Sequence, residues 1–154
     1  MEPTWINIPA RVIQGHRVAS GSNDNPLFPG GTIKMQQAAF RELGLDLGGF
    51  YNGTLNVSIS PLVYRVVSPK LTFRNVKWHP SDPPEDFSFF DVRLPGFSDQ
   101  PIPGLVYLPH PETKTKHFQA PDTLELLFPF VDGLQYGLEI QLQFPEGQIL
   151  FENS

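Results

Sequence analysis

Thr54 and Asn56 stand two residues apart at the head of the run Leu55-Asn56-Val57-Ser58-Ile59, and this spacing is the first place where the chain offers chemistry. On an extended backbone, residues i and i+2 project to the same side, so a hydroxyl and an amide oxygen are directed to one point. Hard oxygens of this kind suit Mg²⁺ carrying a phosphate, an ion that keeps several waters and takes few protein ligands. Gly53, immediately ahead, lets a ligand approach the backbone. The plainer alternative is that Gly53-Thr54 is only a turn entering a strand and Asn56 only a solvated outer residue. The residue types alone leave both open.

Three further segments carry candidate groups. Gly15-His16-Arg17-Val18-Ala19-Ser20-Gly21, followed by the polar stretch Ser22 to Pro29 and by Gly30-Gly31, is a donor-rich connection suited to wrapping an anion, although a surface loop has the same composition. His16 has no second His or carboxylate at a metal-ligand spacing, which favours a polar loop role over metal binding. The run Pro109 to His117 is the densest in polar groups, and its Lys114 and Lys116 suit contacts to phosphate or a polar ring as well as they suit solvent. Glu125 is either a ligand-binding carboxylate or the outward residue of an edge strand, the second being commoner.

The elements that must position these residues are mostly short strands. Leu55, Val57 and Ile59 alternate with Asn56, Ser58 and Ser60, the period of a half-buried strand. A first strand is expected over Ile6 to Gln14, with Pro9 implying an edge or a bulge. Leu62 to Val67, Leu71 to Trp78, Phe87 to Leu94 and Gly104 to Leu108 read as further strands, the second with a bulge near Arg74-Asn75, where the alternation changes phase. In Phe87 to Leu94, Phe87 and Phe89 take one face and Ser88, Phe90 and Val92 the other, which predicts burial on both sides. Thr123 to Pro129 and Leu138 to Phe144 complete the set, with a turn over Phe130 to Gly137. One helix is expected over residues 33–43, capped by Thr32, closed by Gly44, and burying Ile33, Phe40 and Leu43.

The chain has 154 residues, 40% of them hydrophobic, which suits a single domain over 1–154 with a core of its own. With 17 prolines and 13 glycines spread along it, long helices are interrupted, and the segments Pro80 to Pro84 and Pro95 to Pro103 read as surface loops. The absence of cysteine removes thiolate nucleophiles and Cys-ligated zinc and is compatible with a cytoplasmic location. Residues 1–30 lack a charged segment leading into an apolar core, so no secretory signal is expected and the two sequons at Asn52 and Asn56 are discounted. A net charge of −5 argues against a general nucleic-acid binder, and no apolar run reaches the ~18 residues of a membrane span. The expected partner is therefore a small-molecule ligand, with no nucleic acid and no membrane; the oligomeric state is not legible.

Taken in order, a strand, a glycine-containing loop, a helix ending at glycine, Gly53-Thr54-Leu55-Asn56-Val57, a Leu124-Glu125 strand and a final alternating strand resemble the CTP-dependent riboflavin kinases of archaea over residues 10–144. The resemblance implies a mainly β fold, a six-stranded cradle-loop-type β-barrel with one principal helix. It also implies transfer of the γ-phosphate of CTP to a riboflavin hydroxyl, with Mg²⁺ held by Thr54 and Asn56. In that scheme Gly15, Arg17, Ser20, Gly21, Lys114 and Lys116 contact the nucleotide, and His16 or Glu125 orients or deprotonates the acceptor hydroxyl. Riboflavin or FMN is the accompanying ligand. No Gly-x-x-x-x-Gly-Lys-Thr loop is present, which argues against a P-loop kinase. Arg17 and Ala19 stand where the family's loop is richer in glycine, and this keeps open a second reading, a barrel that binds a nucleotide or flavin without turnover.

Overall fold

The computed structural model describes residues 3–13, 32–51, 53–81, 83–110 and 120–154. Among them are nine strands and one helix: β1 (Trp5–Ile13), α1 (Thr32–Glu42), β2 (Leu55–Ser58), β3 (Leu62–Val66), β4 (Leu71–Val76), β5 (Glu85–Leu94), β6 (Ile102–Pro109), β7 (Thr123–Leu127), β8 (Glu139–Pro145) and β9 (Ile149–Asn153). A seven-stranded antiparallel sheet runs β4-β5-β6-β7-β2-β1-β8, and a further pairing of β5 with β8 turns six of these strands into a closed ring. β3 and β9 pair separately, and their Leu62, Tyr64 and Phe151 pack on the core inside the ring.

Closure depends on a single register pair, Arg93 opposite Gln143. Side chains reinforce it: Arg93 Nε donates to Gln143 Oε1 at 2.6 Å, Gln143 Nε2 donates to Asn7 Oδ1 at 3.1 Å, and the Arg93 guanidinium lies 4.1 Å from the ring centroid of Trp5. A charged hydrogen bond and a cation–π contact thus hold the seam where the backbone ladder is shortest.

Two cores follow from the alternation. Ile8, Ala10, Val12, Val57, Phe90, Val92, Leu124, Leu126, Leu142 and Phe144 fill the inside of the ring. Phe40, Leu47, Phe87, Phe89, Leu105, Tyr107 and Leu127 form a second cluster outside it, beneath α1. β5, β6 and β7 are therefore covered on both faces, as Phe87 to Phe90 on β5 make plain, each of them buried. Phe40 meets Phe87 and Phe89 edge-on at centroid separations of 5.1 and 5.3 Å.

The helix ends as its sequence requires. Gly44 sits at φ +100°, its N–H donates to Arg41 O, and Leu45 N–H reaches back to Phe40 O, a Schellman closure in which Leu45 and Phe40 join the same cluster. This closure corrects one expectation. Leu43 is 49% exposed, because the left-handed turn after it sends Leu45 and Leu47 to the core in its place. The side chains of Thr32 and Ile33 lie outside the described residues. The bulge in β4 is present: the register with β5 shifts between Phe73 and Val76, with Asn75 at φ 55° and its N–H bonded to Asp86 Oδ1. Pro9 lies in a strand paired on both sides, yet its register partner is only Gln141 of β8, since the β2 pairing begins at Arg11. β9 was not expected from the sequence. No helix among the described residues is long and apolar enough to cross a membrane.

Candidate functional site

The β2 alternation decides which side chains can meet a ligand. Val57 and Leu55 turn into the ring, so Asn56 must face out, and its Cα partners are Ile13 on β1 and Glu125 on β7. Glu125 is in turn opposite Tyr107 on β6. A row of polar groups therefore runs across the outer face, Asn56, Glu125 and Tyr107, and ends beside the apolar Phe89, Leu105 and Leu127 of the outer cluster. Tyr107 donates its hydroxyl to Gln36 Oε1 of α1 at 2.8 Å. Phe40 lies over β5 and Gln36 over β6.

Thr54 completes the group. Its Oγ1 donates to Glu125 Oε1 at 3.4 Å, and Asn56 Nδ2 donates to Thr54 Oγ1 and Thr54 O, each at 3.4 Å. All three contacts are at the long end of the hydrogen-bond range and hold their atoms weakly. Asn56 Oδ1 is buried and accepts no hydrogen bond from any described residue. An acceptor in that state has a cost that a bound donor or cation would remove. The residues thus offer a Thr hydroxyl, an Asn carbonyl oxygen and a carboxylate from one strand pair, an oxygen set that fits a hard cation retaining most of its waters. Among the described residues no group of three His, Cys, Asp or Glu forms a metal cluster of the all-protein kind.

Glu125 is 9% exposed. The reading of an outward residue on an edge strand is corrected, because β7 is flanked by β2 on one side and β6 on the other. Its charge is felt at Tyr64, whose phenol is raised above its ordinary value first by burial and second by the Glu125 carboxylate.

Thr54, Asn56 and Glu125, distant in sequence, are therefore brought together. Gly15, His16, Arg17, Ser20 and Gly21 lie outside the described residues, as do Lys114 and Lys116. The flanking positions are defined: β1 ends at Ile13 beside Asn56, whereas His110 follows the end of β6 and donates its N–H to Asp86 O of β5. His110 itself belongs to another group, its Nε2 2.6 Å from Ser88 Oγ, which is 2.9 Å from Thr72 Oγ1. Sequence reasoning missed Gln36 and Tyr107. The signal for Gln36 was present, since 36 shares the helical face of 33 and 40 and a polar residue on a buried face needs a partner.

No protein-family model matches the chain, and no curated protein does.

Proposed function

We propose that the chain is a phosphotransferase of the kind that the CTP-dependent riboflavin kinases represent, with the ring of strands serving as a cradle-loop barrel. The substrates would be a nucleoside triphosphate, CTP by resemblance, and riboflavin or a similar polyol-bearing ring. The observation that carries the reading is Asn56 Oδ1, a buried oxygen without a hydrogen bond from the described residues, set within the motif Gly53-Thr54-Leu55-Asn56 and beside a buried carboxylate.

In this reading Thr54 and Asn56 would hold Mg²⁺, which when bound would supply neutralisation of phosphate charge. Glu125 Oε1 would take the proton of the acceptor hydroxyl as the hydroxyl's own oxygen bonds to the γ-phosphorus and the bond from the γ-phosphorus to the bridging β–γ oxygen breaks, leaving the nucleoside diphosphate. The long Thr54 contact to Oε1 leaves that oxygen able to exchange Thr54 for substrate. Arg17, Lys114 and Lys116 would contact phosphates, and His16 would orient the acceptor. Arg17 and Ala19 in place of glycines favour the second reading, binding without turnover, which needs the same oxygens but no proton acceptor.

A thermal-shift panel of CTP, ATP, GTP, riboflavin and FMN, with and without Mg²⁺, tests the reading. A ligand at 100 times its dissociation constant stabilises by about 2.7 kcal/mol, and at ~2–4 °C per kcal/mol the melting temperature would rise by roughly 5–10 °C. A Mg²⁺-dependent rise with CTP is expected; no rise with any ligand would remove the proposal.

A further inference from the structure

Arg11 stands on the outer face of β1, with Ser58 of β2 and Glu139 of β8 as its Cα partners on the two sides. The alternation of β1 fixes this orientation, because Ala10 and Val12 are buried inside the ring and the residue between them must face out. Further along the same ladder Ile13 is opposite Asn56, which makes Arg11 the diagonal neighbour of Asn56 across β1 and β2. Diagonal neighbours in an antiparallel pair are about 7–8 Å apart, a gap that a long side chain spans. The guanidinium can therefore reach the Asn56 amide, whose buried Oδ1 has no hydrogen bond from the described residues.

What holds Arg11 away from that position is slight. Its Nη2 meets Glu139 Oε1 at 3.1 Å, with the two side chains 61% and 78% exposed, and an exposed ion pair of this kind contributes little. A phosphate offers the guanidinium fork a bidentate partner, which is stronger than one carboxylate oxygen. Arg11 also lines a groove of about 670 Å³ together with Pro9, Ile13, Ser58 and Ser60. That volume is the size of a small-molecule site, and Ile13 and Ser58 bring the groove up to Asn56. From this juxtaposition, and resting on the functional reading above, we infer that Arg11 is a phosphate-binding residue. It exchanges Glu139 for the phosphate of a small molecule seated in the groove, whose metal ion lies at Thr54 and Asn56. Glu139 competes for the same guanidinium and opposes that binding.

The test is calorimetric titration of inorganic tripolyphosphate with Mg²⁺ into wild-type protein, Arg11→Ala, Arg11→Lys, Glu139→Gln and Asn56→Ala, with the melting temperature of each. Arg11→Ala should weaken binding about 10-fold or more, and Arg11→Lys, which keeps the charge without the fork, should fall between it and wild type. Glu139→Gln should tighten binding by about 2–5-fold, and none of these three should melt more than about 4 °C below wild type. The opposite signs matter, since a purely structural pair is broken equally by either substitution. Wild-type affinity in Arg11→Ala, with binding lost in Asn56→Ala, would overturn the role of Arg11 and leave the functional reading intact. Equal weakening by Arg11→Ala and Glu139→Gln, or a melting temperature that falls with affinity, would make the pair structural and overturn it as well. Wild-type protein that does not bind the Mg²⁺ complex would remove the functional reading and the inference together.

Discussion

Asn56→Ala separates a ligand role from a structural one because the geometry predicts opposite consequences for stability and binding. The amide nitrogen makes two contacts of 3.4 Å, both to Thr54, and the amide oxygen is buried without a hydrogen bond from the described residues. Removing the side chain deletes two weak bonds, each worth at most about 0.5–1 kcal/mol, and relieves an acceptor whose burial costs about 1–3 kcal/mol. The net change for the free protein therefore lies between about 1 kcal/mol destabilising and about 2 kcal/mol stabilising, a melting-temperature change of no more than about 8 °C in either direction at this chain length. Leu55 and Val57 stay in the inner core, so the fold survives. Loss of a group that stabilises transferred-phosphate charge costs about 100-fold or more in rate. The assays are calorimetry of the free variant and titration of Mg²⁺ with nucleotide. A variant that melts more than 10 °C lower, or one that binds Mg²⁺ and nucleotide as well as wild type, would refute the reasoning.

Other positions test the frame that positions the site. A Cβ at Gly104 would lie 2.5 Å from Leu127 O and 2.5–2.6 Å from the Phe128 ring, so Gly104→Ala should destabilise by about 1–3 kcal/mol in chemical denaturation. Arg93→Ala removes the bond to Gln143 and the contact with Trp5 at the only β5–β8 register pair; about 2 kcal/mol should be lost, with faster hydrogen exchange on β8 as the readout. Tyr64 has its folded-state pKa raised, so the neutral phenol contributes stability that is present below the ordinary value near 10 and is lost as pH rises through the folded value. Tyr64→Phe should flatten the fall in stability above pH ~10, which unfolding curves across that window would show.

The local elements were legible because each depends on a repeat within a few residues. The two-residue period placed β2 and β5 and assigned the faces of Phe87 to Val92, and the phase change at Arg74-Asn75 located the bulge. Gly44 after an amphipathic run fixed the helix end, although the same face included Leu43, which the glycine turn directs outward. What failed was non-local. Glu125 read as an edge residue because strand order is set by pairing across the chain, and closure through Arg93 and Gln143 joins residues 50 positions apart. β9 escaped because Ile149–Asn153 is short and follows a turn at Gly147 that separates it from the strong β8 pattern. At the site, the pairing of Thr54 with Asn56 was visible from spacing, whereas the addition of Glu125 depended on the β2–β7 register.

The central claim is that the Thr54, Asn56 and Glu125 oxygens serve Mg²⁺-dependent phosphoryl transfer. Incubating the protein with CTP, riboflavin and Mg²⁺ and quantifying products by liquid chromatography and mass spectrometry tests it most directly. The account predicts FMN and CDP in equal amounts, dependent on Mg²⁺, and reduced about 100-fold or more by Asn56→Ala or Glu125→Gln. FMN formation that persists undiminished in both variants, or no FMN with any nucleoside triphosphate despite a folded protein, would contradict it.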